Sequence, residues 1–122
     1  MYGIPENFDI SAVIGQMIER VDLGPYIMHI RLSNGWTISC EGTVVCVYGG
    51  SEGSIRTREW VDLNHLKNVV GSTISEWAVV SKKAFELYLN NGGIVLRFID
   101  DSDSYESFQI SPTGAMRKGW VI

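Results

Sequence analysis

Apolar and polar positions alternate most regularly between positions 85 and 110, in the segment FELYLNNGGIVLRFIDDSDSYESFQI, and that alternation predicts three antiparallel strands. A two-residue turn at Asn91-Gly92 sets Leu89 against Ile94, Leu87 against Leu96 and Phe85 against Phe98 on one apolar face, because successive side chains point to opposite sides of a strand. The same register brings Glu86 opposite Arg97, an opposite-charge pair whose value lies in fixing register. Tyr88, Val95 and Ile99 fall on the second face, and their character predicts that this face too is covered in part.

A second hairpin is predicted from positions 26 to 41, around Ser33-Asn34-Gly35. A three-residue loop pairs Leu32 with Trp36, Ile30 with Ile38 and Met28 with Cys40, all apolar, whereas a two-residue loop mixes Leu32 with Thr37 and Ile30 with Ser39. The pattern selects the three-residue loop, with Gly35 in the left-handed region. Positions 44–48 form a further short strand after Gly42-Thr43, and positions 49–54, with three glycines, read as an exposed mobile loop. Positions 73–80 form a strand that leads through Ser81-Lys82-Lys83 into the first hairpin.

Helical spacing occurs twice. Phe8, Ile10, Val13 and Ile14, between Asp9 and Gly15, predict a short helix over 8–14. Asp62 as N-cap, Leu63, Leu66, Val69 and Val70 on one face, and Gly71 as the stop predict another over 63–70. After a Pro-Thr-Gly turn, Met116, Trp120, Val121 and Ile122 predict a docked, apolar C-terminal segment.

An internal repeat links these elements. Val13-Ile14-Gly15-Gln16-Met17-Ile18-Glu19 lies over Val69-Val70-Gly71-Ser72-Thr73-Ile74-Ser75, and Ile30-Arg31-Leu32-Ser33-Asn34-Gly35 over Leu87-Tyr88-Leu89-Asn90-Asn91-Gly92, at offsets of 56 and 57 residues. Each half then reads helix, glycine, strand, hairpin, strand. The expected fold class is α+β: two short helices packed on a mainly antiparallel sheet of about six to eight strands, with an internal α-β-β-β duplication.

The 122 residues make one domain, 1–122, and 45% apolar with 20% charged residues is the balance of a globular protein. No uncharged apolar run approaches the roughly 20 residues that span a bilayer. The start, MYGIPENFDI, resembles neither a secretory signal nor a transit peptide, so the expected location is cytoplasmic. A net charge of −4 and a pI of about 5.0 disfavour direct nucleic-acid binding and favour a basic partner. Cys40 and Cys46 are too few for a disulfide scaffold and lack zinc-site spacing, so they read as reduced strand residues.

Candidate chemistry is sparse. His29 and His65 belong to no catalytic motif, the glycines at 49–53 lack the Gly-Lys-Ser/Thr ending of a phosphate cradle, and no cofactor or metal is called for. The densest charge feature is DDSDSYE, with Asp100, Asp101, Asp103 and Glu106. It lacks the central glycine and ligand spacing of a calcium loop. Two readings stand: a solvated turn between strands, or an acidic partner-binding patch of Asp100, Asp101, Asp103, Tyr105 and Glu106, with Phe108 nearby, that steers and docks a basic protein.

At Tyr105-Glu106-Ser107-Phe108 the chain resembles a group of small bacterial immunity proteins of toxin systems, whose second half runs as strand, Asp/Asn-Gly turn, strand, acidic turn and then Tyr-Glu-Ser-Trp or a close variant. The matching residues also include Leu87-Tyr88-Leu89-Asn90-Asn91-Gly92 and Leu96-Arg97-Phe98, with Phe108 in the tryptophan position. The resemblance implies a cytoplasmic, non-enzymatic immunity protein, for instance of contact-dependent growth inhibition, that binds one cognate toxin domain, often a nuclease. A nuclease is basic around its active site, which suits an acidic inhibitor. The alternatives are a small-ligand-binding module, which requires an apolar pocket, and an enzyme without a recognisable motif, which requires titratable groups meeting in a cleft.

Overall fold

The computed structural model describes residues 3–56, 66–101, 107–112 and 120–122. Its strands are β1 (Ile18–Leu23), β2 (Met28–Leu32), β3 (Trp36–Cys40), β4 (Thr43–Tyr48), β5 (Ser51–Arg56), β6 (Ile74–Ser81), β7 (Ala84–Leu89), β8 (Val95–Ile99), β9 (Phe108–Pro112) and β10 (Trp120–Val121). They form two five-stranded antiparallel sheets, the first in the order β1-β2-β3-β9-β10 and the second in the order β5-β4-β8-β7-β6.

The α+β expectation of two helices on one sheet is therefore overturned. Where the first helix was expected there is a 3-10 turn, Ser11–Val13, whose entry is fixed by Asp9 accepting from the Ser11 N–H at 2.9 Å and from its hydroxyl at 2.6 Å. Of the second helix, predicted over 63–70, positions 63–65 lie outside the described residues. Leu66 is helical and 67–71 run in tight turns, with the N–H groups of Val69 and Val70 both donating to the Leu66 carbonyl. At the first site a segment of about seven residues gains too few hydrogen bonds to repay helix nucleation, and the 3-10 turn with its flanks already buries Phe8, Ile10 and Val13.

Both predicted hairpin registers hold. Met28 pairs with Cys40 and Ile30 with Ile38, and Gly35 has φ +91°, as the three-residue loop demands. Phe85 pairs with Phe98, Glu86 with Arg97 and Leu87 with Leu96, but the turn closes one residue later than expected, on Gly92-Gly93, with φ +66° and +72°. Asn90 and Asn91 are thereby left to bond outside the hairpin. The glycine-rich stretch over 49–54, expected as a mobile loop, is a hairpin: Gly49 and Gly50, at φ +60° and +84°, make a two-residue turn and β5 pairs along β4. Two adjacent glycines are what a left-handed two-residue turn requires, so they mark a hairpin connection here.

The two halves of the sequence are related by an internal two-fold arrangement, read from the hydrogen bonds. The Gly15 N–H donates to the Ile74 carbonyl at 2.7 Å, and the Gly71 N–H to the Ile18 carbonyl at 2.8 Å. The Ile74 N–H donates to the Gln16 carbonyl at 2.9 Å, and the Ile18 N–H to the Ser72 carbonyl at 2.8 Å. Each bond becomes its partner when every residue is replaced by the one 56 positions away. Side chains repeat too: the Asn34 amide donates to the Ala12 carbonyl at 3.0 Å, and the Asn91 amide to the Asn68 carbonyl at 3.2 Å.

The halves are also intertwined. The chain passes from the first sheet to the second between β3 and β4, and from the second to the first between β8 and β9, so each half places its last hairpin in the other half's sheet. The first passage takes two residues, Glu41 and Gly42; the second takes eight, and the acidic segment is the extra length. Gly42 suits the short passage, because a Cβ there would lie 2.9 Å from the Ile99 carbonyl oxygen and 2.9 Å from the Ser107 Cβ.

The inner faces of the two sheets share one core. Phe108 of the first sheet stands edge-on to Phe85 and Phe98 of the second, with centroids 5.9 and 5.5 Å apart, while Phe85 and Phe98 stack at 4.7 Å. Of the C-terminal segment expected to dock, Ile122 is buried with its backbone bonded to Phe108, and Met116 lies outside the described residues. Cys40 and Cys46 are buried thiols on different sheets, and burial pushes the Cys46 thiol up.

Candidate functional site

The outward-facing side chains of the two sheets are the surfaces on which function can act, and the internal two-fold allows them to be compared position by position. Across the first sheet run the rows Asp22, His29, Ser39, Gln109 and Arg20, Arg31, Thr37, Ser111. Across the second sheet run Ser54, Val45, Arg97, Glu86, Ala78 and Glu52, Val47, Val95, Tyr88, Glu76.

On the first sheet, His29 Nδ1 lies 2.8 Å from Ser39 Oγ and Asp22 stands opposite His29 on the next strand. The order Asp, His, Ser across three strands suggests a nucleophile with its base, so its geometry matters. Asp22 is held elsewhere: Arg31 Nε donates to it at 2.6 Å and Arg20 Nε at 3.2 Å, and the Arg31 hydrogen bond above all holds its carboxyl below the usual range. The cavity touching Ser39 measures about 10 Å³, far below the size of a substrate site. A larger open groove of about 360 Å³ lies along Glu19, Arg20, Arg31, Leu32, Gly35 and Thr37. Its lining is charged and polar, unlike the apolar wall that the small-ligand alternative requires.

On the second sheet the charged groups are linked. Arg97 Nε donates to Glu86 at 2.8 Å and an Nη of the same guanidinium to Glu52 at 3.2 Å, while the Tyr88 hydroxyl donates to the other Glu86 oxygen at 2.8 Å. The Glu86 carboxylate is buried, and its bond raises both the Tyr88 phenol and the Arg97 guanidinium above their usual ranges, since each proton is held against a negative charge. The pair read from sequence as a register device is thus the centre of a three-strand network. Around it lie Val45, Val47, Val95 and Ile99, all half-buried although they point away from the core.

The sequence-predicted patch divides. Asp103, Tyr105 and Glu106 lie outside the described residues. Asp100 is buried, at 3% exposure: Ser107 Oγ donates to it at 2.7 Å, the Gly3 N–H at 3.0 Å, and Lys83 Nζ lies 3.8 Å away. Burial alone would raise its pKa, but the hydrogen bonds it accepts prevail and hold the carboxyl below its usual value. Asp100 therefore ties the N-terminal segment to the sheet crossing. Asp101 is exposed and accepts a hydrogen bond from the Thr43 hydroxyl at the end of the second sheet's outer face. Phe108, expected beside the patch, belongs to the core. Sequence reasoning placed Val95 of β8 on this partly covered face but passed over the valines of β4. Their signal was the run Val44-Val45-Cys46-Val47, which is apolar at both parities and so marks a strand with two apolar faces.

Among the described residues no group of three or more His, Cys, Asp or Glu side chains converges as a metal site, and no helix is long and apolar enough to cross a membrane. No family model matches the chain, and neither does any curated protein or solved structure.

Proposed function

We propose that this chain is a non-enzymatic protein inhibitor, a cytoplasmic immunity protein that binds a cognate toxin domain and neutralises it in stoichiometric complex. The observation that supports the reading best is the acidic segment between β8 and β9. The equivalent passage in the first half needs two residues where this one has eight, so the extra length answers no demand of the duplicated fold. Surplus chain of this kind at a sheet end is where binding function concentrates. Its carboxylates are part of the chain's net charge of −4, which raises the association rate with a basic domain such as a nuclease. The resemblance at Tyr105-Glu106-Ser107-Phe108 falls in the same segment.

The test is co-expression with the C-terminal domain of the protein that the neighbouring upstream gene encodes, which the proposal requires to be a toxin. Restored growth together with a one-to-one complex on size-exclusion chromatography is the expected result. A toxin domain that remains lethal in the presence of abundant folded chain overturns the proposal.

A further inference from the structure

The internal duplication supplies a control that single sheets lack. At equivalent outward positions the first sheet carries Thr37, Gln109 and Ser111 where the second carries Val95, Val45 and Val47. The same strand pairing is thus built with polar groups in one copy, so three outward valines are not a requirement of the fold. An apolar centre on a surface the architecture allows to be polar is the mark of a contact surface. Among the described residues Glu52, Glu76 and Asp101 are exposed carboxylates at its margins, Arg97 within it is paired with both Glu86 and Glu52, and Lys82 and Lys83 are exposed at the turn between β6 and β7, which leaves carboxylates in excess.

We infer that the outer face of the second sheet is the surface on which the basic toxin domain docks, with Val45, Val47 and Val95 as its apolar centre and the marginal carboxylates as its steering charge. Asp101 joins this face to the acidic segment through its bond with Thr43, whose strand also carries Val45 and Val47. The inference rests on the inhibitor reading and deepens it by assigning the contact to a sheet face instead of the acidic segment alone. The Glu86 to Arg97 pair gives the centre a fixed polar feature, and the partner must meet it with a matching hydrogen-bonding group.

The experiment measures binding of the upstream-encoded toxin domain to the full chain and to matched variants of the two sheets. Val47→Lys should weaken the complex by about tenfold or more, as expected of a central contact, and Glu52→Lys with Glu76→Lys should slow association and flatten its salt dependence. The equivalent changes on the first sheet, Ser111→Lys and Thr37→Lys, should leave affinity within about twofold. Methyl resonances of Val45, Val47 and Val95 in the wild-type chain should shift on complex formation, which decides the matter even where a variant fails to fold. Binding that survives Val47→Lys, or valine methyls that do not move in a formed complex, overturns this assignment and leaves the inhibitor reading intact. A wild-type chain that does not bind the toxin domain overturns both.

Discussion

Met17 and Thr73 face each other as an antiparallel bridge, and they are also each other's equivalents in the 56-residue repeat. A residue paired with its own counterpart lies on a two-fold axis. The flanking bonds confirm it, since Gly15 to Ile74 and Gly71 to Ile18 exchange under the same operation. The two halves therefore meet as the subunits of a symmetric dimer do, through one patch presented twice. With the last hairpins exchanged between the sheets, neither half can bury its core without the other.

That mutual dependence predicts that equivalent core positions cost the same. Ile38 and Leu96 are equivalents, each fully buried at the centre of its own sheet. Ile38→Ala and Leu96→Ala should each lose about 2 to 5 kcal/mol in denaturant unfolding, in a single transition. A loss below about 1 kcal/mol for either, against that range, would show that its sheet is not part of the shared core.

Gly42 should resist even the smallest side chain. With backbone and Ser107 atoms 2.9 Å from an added Cβ, Gly42→Ala has to push the two sheet crossings apart. The expected cost is about 1 to 3 kcal/mol, the range for overpacking. Thermal unfolding at wild-type temperature would show that the crossing is looser than described.

Asp100 and Asp101 are neighbours with opposite expected behaviour. Asp100→Asn weakens a buried hydrogen-bonded carboxylate and should cost about 1 to 3 kcal/mol at neutral pH, whereas Asp101→Asn should be close to neutral for stability. The Asp100 carboxyl is held below its ordinary value of 3.8, so its contribution is present above that pH and is lost as pH falls through the depressed folded value. Wild-type stability should therefore decline below about pH 4 by more than that of Asp100→Asn, which has no such proton to take up. Parallel acid profiles for the two proteins would exclude the buried carboxylate as the cause.

The thiols give a chemical readout of the core. Cys46 is buried and its thiol is pushed up by burial, and Cys40 is buried on the other sheet, so neither is a ready nucleophile. Both should react with a thiol reagent only after denaturant is added, and then in full without reductant. Rapid labelling of either in the native chain would place it at the surface.

Much of this arrangement is determined by sequence alone, for local reasons. Both hairpin registers follow from alternation, because a slip of one residue would turn Ile30 or Leu87 out of the core. The duplication shows in the glycine and Asn-Gly positions, because left-handed backbone at Gly15, Gly35, Gly71 and Gly92 restricts the residue type at each. The acidity of the segment after β8 is likewise plain in the chain itself. Tertiary structure decided the rest. Whether a short apolar segment becomes a helix or a single turn depends on what it packs against, and residues 8–14 bury the same side chains either way. Whether β4 joins the sheet of β3 or that of β8 is invisible to periodicity, since both choices satisfy the same alternation; the close approach at Gly42 and the pairing of Val44 with Phe98 settle it. The fate of Asp100 is non-local in the same sense. Its neighbour in sequence is exposed, but Ser107 from the far side of the acidic segment and Gly3 from the other end of the chain meet at it, and only the folded chain brings such donors to one carboxylate.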